Sequence, residues 1–147
     1  MARRTEAYVD TSAFIAFVDR SDTYHALFRR LFADPPRLVT TPLVIAEGHG
    51  WFLKRYDRNR ALQFLGLIEE LREASSAPLT ILAVGAEQQR DAALLLRQFS
   101  DQNLTLTDAV GLQVMETRRS EGRPLNVCWS TDFHMGLTDV PLVIYQY

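Results

Sequence analysis

Asp10, Glu47, Asp108 and Asp132 each stand at the edge of an apolar segment, and together they span most of the chain. A carboxylate at a strand end or on an inward helix face loses hydration, and several brought together repel one another. A divalent cation is the simplest compensation. Oxygen donors with no Cys or His set beside them point to Mg²⁺ or Mn²⁺ rather than Zn²⁺. Each acid also has a plain structural alternative. Asp10 and Asp108 suit helix starts, Glu47 suits the wet side of an amphipathic helix, and Asp132 suits a turn.

The elements that must position these acids follow from hydrophobic pattern and punctuation. Glu6 to Val9 is a short strand ending at Asp10, and Thr11-Ser12 offers cap chemistry for a helix over Ala13 to Val18. Asp22 caps a second helix whose Tyr24, Leu27, Phe28, Leu31 and Phe32 form one stripe, broken by Asp34-Pro35-Pro36. Leu38 to Thr40 is extended, and Pro42 suits the first turn of a helix carrying Val44, Ile45, Glu47, Trp51 and Phe52.

Asp57 caps a further helix running through Leu62, Leu65, Ile68 and Leu71. A β-rich run, Leu79 to Val84, follows Pro78, and a helix over Ala86 to Phe99 turns Ala93, Leu94 and Leu96 inward. After a loop, Asp101 to Leu104, a helix opens at Thr107 or Asp108 and runs through Val110, Val114 and Met115. Asn126 to Trp129 is a strand leading to Ser130-Thr131-Asp132, and Leu142 to Tyr145 is a last strand.

Short strands alternating with helices predict an α/β fold: a three-layer α/β/α sandwich around a mainly parallel sheet. Ligands of such sheets collect outside the carboxyl ends of the strands, where Asp10 and Asp132 both fall. The 147 residues, 47% apolar and 23% charged, suit one soluble domain over 1–147. A net charge of −2 announces no strong nucleic-acid binder, although acids of a metal site offset bases elsewhere. The bases are nearly all Arg, with Lys54 the single Lys; the planar Arg fork suits phosphate, and a genome's base composition gives the same bias.

Cys128, the only cysteine, excludes an intramolecular disulfide and a Cys-based zinc site. No stretch approaches a membrane span, and Arg3-Arg4 is not followed by a secretory-type apolar core. The expected location is the cytoplasm.

Four stretches, in order, carry a family resemblance: Tyr8-Val9-Asp10-Thr11-Ser12-Ala13, then Thr41-Pro42-Leu43-Val44-Ile45-Ala46-Glu47, then 101–109 from Asp101 to Ala109, then Ser130-Thr131-Asp132-Phe133-His134. With these the chain resembles PIN-domain ribonucleases, and among them the VapC-type toxins of toxin–antitoxin pairs. The resemblance implies that Asp10, Glu47, Asp108 and Asp132 are catalytic and hold Mg²⁺ or Mn²⁺. It implies that Ser12 and Thr131 support the site by hydrogen bonding, and that Asp101 is a further acidic position near the third acid. One departure is Trp129-Ser130, where relatives more often carry smaller apolar residues; it is expected to touch no ligand and to alter the cleft floor.

The implied chemistry is hydrolysis of RNA phosphodiester bonds by metal-activated water, leaving a 5′-phosphate and a 3′-hydroxyl, with one ion or two. The implied partners are RNA, a second copy in a homodimer, and a cognate antitoxin that silences the site. Candidate RNA contacts are Arg3, Arg4, Lys54, Arg55, Arg58, Arg118, Arg119 and Arg123. His134 lies nearest a proposed ligand among the histidines and is expected to pack or face solvent. Two other classes stay open. A doubly wound phosphatase or phosphotransfer domain also begins with a strand-end Asp, but usually wants a second Asp where Ser12 stands. A non-catalytic RNA- or partner-binding module would bind RNA without cutting it.

Overall fold

All four residues of β1, Glu6–Val9, are buried, as expected of a central strand covered on both faces. The computed structural model describes residues 5–147, so the candidate contacts Arg3 and Arg4 lie outside the described residues. β1 leads through Asp10 into α1, Thr11–Val18, which is followed by α2, His25–Ala33. Then come β2, Arg37–Thr40, the helix pair α3, Pro42–Arg55, and α4, Arg58–Glu73, and the short β3, Thr80–Ile81. The chain continues with α5, Ala86–Gln98, α6, Leu106–Ser120, and β4, Leu125–Trp129.

Among the described residues the sheet order is β3-β2-β1-β4 and every pairing is parallel, with six α-helices flanking it. The expected α/β/α architecture is present. β1 sits between β2 and β4, so its carboxyl end is the middle of the strand-end crevice. Thr40 Oγ1 donates to the Val9 carbonyl at 2.8 Å, closing β2 onto β1 one residue before Asp10. The main core gathers Tyr8, Phe14, Phe28, Phe52, Phe64 and Trp129, among others. Cys128 lies fully buried in it.

The structure departs from the pattern in several places; α2 begins at His25 behind Tyr24, and Asp22 accepts the Tyr24 N–H at 2.8 Å rather than capping the helix. Leu142 to Tyr145 is not a strand: Leu142 makes one isolated bridge to Cys128, and Val143–Gln146 turns as a 3-10 helix. Of the Leu79 to Val84 run only Thr80–Ile81 forms strand β3, at the sheet edge, with the Leu82 N–H donating once more to the Thr40 carbonyl at 2.9 Å. On α4 the buried stripe is Ala61, Phe64 and Ile68, while Leu62 is exposed. On α5 Ala92 is buried and Leu94 exposed, a shift of the inward face that short Ala- and Leu-rich runs leave open.

α6 ends in a Schellman turn. The Arg123 N–H donates to the Arg118 carbonyl at 2.9 Å and the Gly122 N–H to that of Arg119 at 3.0 Å. Gly122 takes φ 73°, which L side chains rarely adopt, and so turns the chain into β4. Among the described residues no helix is long and apolar enough to cross a membrane.

Candidate active site

Asp10 follows β1 in extended backbone, φ −86° and ψ 164°, at the N-cap position of α1, yet its side chain makes no cap hydrogen bond to the helix. Position makes it the cap residue, while its carboxylate is left for the site. Its N–H donates to the Trp129 carbonyl at 3.0 Å, which ties the ends of β1 and β4 together. Ser130, the next residue, then donates its hydroxyl to Asp10 Oδ2 at 3.0 Å. Ser12 Oγ lies 3.1 Å from Ser130 Oγ and 3.4 Å from the same carboxylate oxygen. Ser130 has one proton to give and gives it to Asp10, so the shorter contact makes Ser12 the donor to Ser130. The Thr131 N–H closes the ring by donating to Ser12 Oγ at 3.0 Å, and the Asp132 N–H donates to Ser130 Oγ at 2.9 Å.

Asp108 is brought in from α6. Thr105, not Thr107 or Asp108, caps this helix: the Asp108 N–H donates to Thr105 Oγ1 at 3.1 Å, and the Thr105 N–H returns to Asp108 Oδ2 at 3.0 Å. The two residues form a reciprocal capping box with Asp in the usual Glu position. Capping and site duty are thus shared by one carboxylate. Asp132 opens the 3-10 turn Phe133–Gly136, accepting the His134 N–H at 3.0 Å and the His134 ring N–H, at Nδ1, at 2.9 Å on one oxygen. His134 therefore holds an acid of the site rather than standing free in solvent.

These constraints converge. Asp10, Asp108 and Asp132 each offer a carboxylate oxygen within 4.8 Å of the others. Burial first, and then the charge of Asp108, push the Asp10 carboxyl up to about 7; the Thr11 amide and Ser130 pull the other way, and Glu47 adds a smaller upward push. Burial likewise raises Asp108, aided by Asp132. Asp10 Oδ1 is buried with no hydrogen-bond partner among the described residues. Three converging carboxylates, one with an orphaned buried oxygen, fit a hard divalent cation.

The PIN domain family model matches residues 7–121. The chain belongs to the PIN domain family. The match stops short of Asp132, whose place beside Asp10 is given by the structure itself. The PIN fold is also seen in the crystal structure of Mycobacterium tuberculosis VapC20, described as a sarcin-ricin loop cleaving toxin, at TM-score 0.72 and 21% identity over 88% of this chain and 92% of that one. No curated protein sequence matches the chain.

Within this PIN domain the remaining candidates are placed unequally. Glu47 is exposed on α3, outside the three-acid group, and reaches Asp10 through its charge. Asp101 is exposed in the turn before α6 and also outside the group. Thr131 contributes its backbone N–H. Ser130 joins Ser12 and Thr131 in holding the site, so the expectation that Trp129-Ser130 touches no ligand is corrected. Side chains alternate along a strand, so Trp129 turns into the core against Phe28 and Phe32 while Ser130 meets Asp10. The available signal was a lone hydroxyl closing the apolar run Val127-Cys128-Trp129.

Arg118 is corrected as an RNA contact. Its guanidinium forks onto the Glu6 carboxylate, Nη2 to Oε2 at 2.9 Å, with 14% and 4% of the two side chains exposed. It also lies ten residues along α6 from Asp108, about 15 Å of helix. Arg119 and Arg123 are exposed at that same far end. Lys54, Arg55 and Arg58 are exposed at and beyond the last turn of α3, about 10 Å of helix past Glu47.

Proposed function

We propose that this PIN domain is an endoribonuclease toxin of VapC type, hydrolysing RNA phosphodiester bonds at the Asp10–Asp108–Asp132 cluster. The observation that carries this reading is that Asp10, Asp108 and Asp132 bring carboxylate oxygens within 4.8 Å of one another, while among the described residues the buried Asp10 Oδ1 has no hydrogen-bond partner. A carboxyl held near pKa 7 by burial and a like-charged neighbour is a group waiting for positive charge. Asp10, Asp108 and Asp132 would hold Mg²⁺ or Mn²⁺, with Glu47 at the exposed side. Bound there, the ion acidifies a water and offsets the charge of the phosphate oxygens.

The protein's own contribution is orientation. Ser130 and Ser12 fix the Asp10 carboxylate, Thr105 fixes Asp108, and His134 fixes Asp132. Each of those bonds uses up one oxygen or one direction of its acid, so the remaining oxygens are aimed rather than free to rotate. A cognate antitoxin and a second copy of the chain are the proposed protein partners, in keeping with the toxin reading.

The test is cleavage of RNA by the purified chain with Mg²⁺ or Mn²⁺, against EDTA and against Asp10→Asn. Sequencing of RNA ends from cells expressing the two forms then maps the cut. Divalent-dependent cleavage lost in Asp10→Asn supports the reading. Equal cleavage by both proteins refutes the site, and no cleavage of any RNA by the parent refutes the function.

A further inference from the structure

Phe133 is 66% exposed, although it is one peptide unit from Asp132. A scattered exposed apolar residue is ordinary on a protein surface. This one differs in how it is held and where. Its ring lies against the imidazole of His134, centroids 4.2 Å apart and planes inclined by 33°. His134 in turn is fixed by its Nδ1–H bond to Asp132. The aromatic pair is therefore tied to a carboxylate of the cluster, and His134 covers one face of the Phe133 ring.

Among the described residues, Phe133 is the one exposed large apolar side chain adjacent in sequence to an acid of the three-residue group. Tyr147, more exposed still, lines a cavity with Thr5 and Asn126 at the amino ends of the strands, the opposite side of the sheet. Among the described residues, Arg118 is taken up by Glu6, and Arg119 and Arg123 stand at the end of α6 far from Asp108. An exposed ring beside the acids offers a grip of a different kind.

We infer that Phe133 is a stacking platform for an unpaired nucleobase flanking the scissile phosphate. This rests on the ribonuclease reading of the acid cluster and adds to it a residue that grips the substrate. A phosphate drawn to the carboxylates presents its neighbouring sugar and base at about one nucleotide's distance, and the next residue along the protein offers a flat apolar face. Every base has a π-face, so the contact favours unstacked over paired RNA without reading sequence. The ring is pre-positioned by His134, so little conformational entropy is lost when a base settles on it.

The experiment compares cleavage of a single-stranded RNA by the parent, Phe133→Ala, Phe133→Leu and Phe133→Tyr. Removing one base–aromatic stack is expected to raise KM on the order of tenfold in both Ala and Leu forms, with kcat changed far less. Phe133→Tyr keeps the ring and retains the parent KM. An RNA made abasic at the stacking nucleotide should bring the parent's KM up to that of the Ala form. A parent that cuts RNA while Phe133→Ala shows the same KM overturns this inference alone. A loss in kcat with KM unchanged also overturns it, since it would mean that Phe133 only props His134. A parent that cuts no RNA overturns the function and this inference together.

Discussion

Ser130 reaches Asp10 across 120 residues of sequence, its hydroxyl 3.0 Å from Oδ2, and leaves Oδ1 buried without a partner among the described residues. The Ser130 hydroxyl oxygen in turn accepts the Asp132 N–H at 2.9 Å, so one small side chain sets the spacing of two acids on neighbouring strand ends. Ser130→Ala removes both bonds and exposes Asp10 to its neighbours' charge with less help. We expect divalent-ion affinity to fall roughly 10- to 100-fold, as for other partners that orient ligands. Cleavage measured against Mn²⁺ concentration reads this directly: the half-saturating concentration rises while the fold, by circular dichroism, stays. An unchanged metal titration would show that Ser130 merely fills space.

Asp10 also makes stability depend on pH when no cation is present. Its folded carboxyl sits at about 7, above the ordinary unfolded value. Below about pH 4 the group is protonated in both states and costs nothing. Between about pH 4 and 7 the unfolded chain releases its proton while the folded one retains it, so stability falls as pH rises and levels off above 7. The loss is on the order of a few kcal/mol. In EDTA the Tm of the parent should fall between pH 5 and 8, and Asp10→Asn should lack most of that fall and melt higher at pH 8. Added Mn²⁺ should restore the parent at pH 8. A gap between the two proteins that does not change with pH would sink the argument.

Local signals made much of this legible. Strand β1, the Pro42 start of α3 and the Asp57 cap of α4 follow from sequence because each depends on residues within one turn. The acids could be picked out by type, and their order matched the PIN pattern. What stayed hidden was set by tertiary partners. Asp108 could not be separated from its cap until Thr105 was seen to take the other half of the box. Leu142 to Tyr145 carries strand-like residues, yet only Leu142 finds a bridge. Arg118 looked like its exposed neighbour Arg119, because nothing local reveals a Glu6 carboxylate 112 positions away.

That pair gives a stability prediction. Glu6 is buried in the central strand and Arg118 is its ion-pair partner on α6. Arg118→Ala leaves a buried carboxylate without its cation, which costs roughly 3–5 kcal/mol in buried pairs, and somewhat less here because the guanidinium keeps partial solvent contact. Arg119→Ala, at an exposed site, should stay within about 0.5 kcal/mol of the parent. Urea unfolding followed by tryptophan fluorescence separates the two. Equal midpoints for both variants would mean that the Glu6–Arg118 fork is structurally idle.

Gly111 governs how closely α6 approaches the acids' own strands. A Cβ built there would lie 2.8 Å from Met135 Cε and from the Tyr8 hydroxyl oxygen, and 2.9 Å from Tyr8 Cε1. Tyr8 stands two residues before Asp10, Met135 three after Asp132, and Gly111 three after Asp108, so one added methyl presses on the supports of all three carboxylates. The Met135 methyl can swing aside, but the Tyr8 ring is fully buried in β1 and cannot. Gly111→Ala should therefore destabilise by about 1–3 kcal/mol, the usual cost of overpacking, and lower kcat by spreading the acids. Tyr8→Phe removes the nearest oxygen, which among the described residues is buried without a hydrogen-bond partner. The double variant Gly111→Ala with Tyr8→Phe should then recover part of both losses, a coupling expected only of residues in contact. Strictly additive effects in that cycle, on Tm and on cleavage rate, would show that the tight seat of α6 over Tyr8 does not hold the acids together.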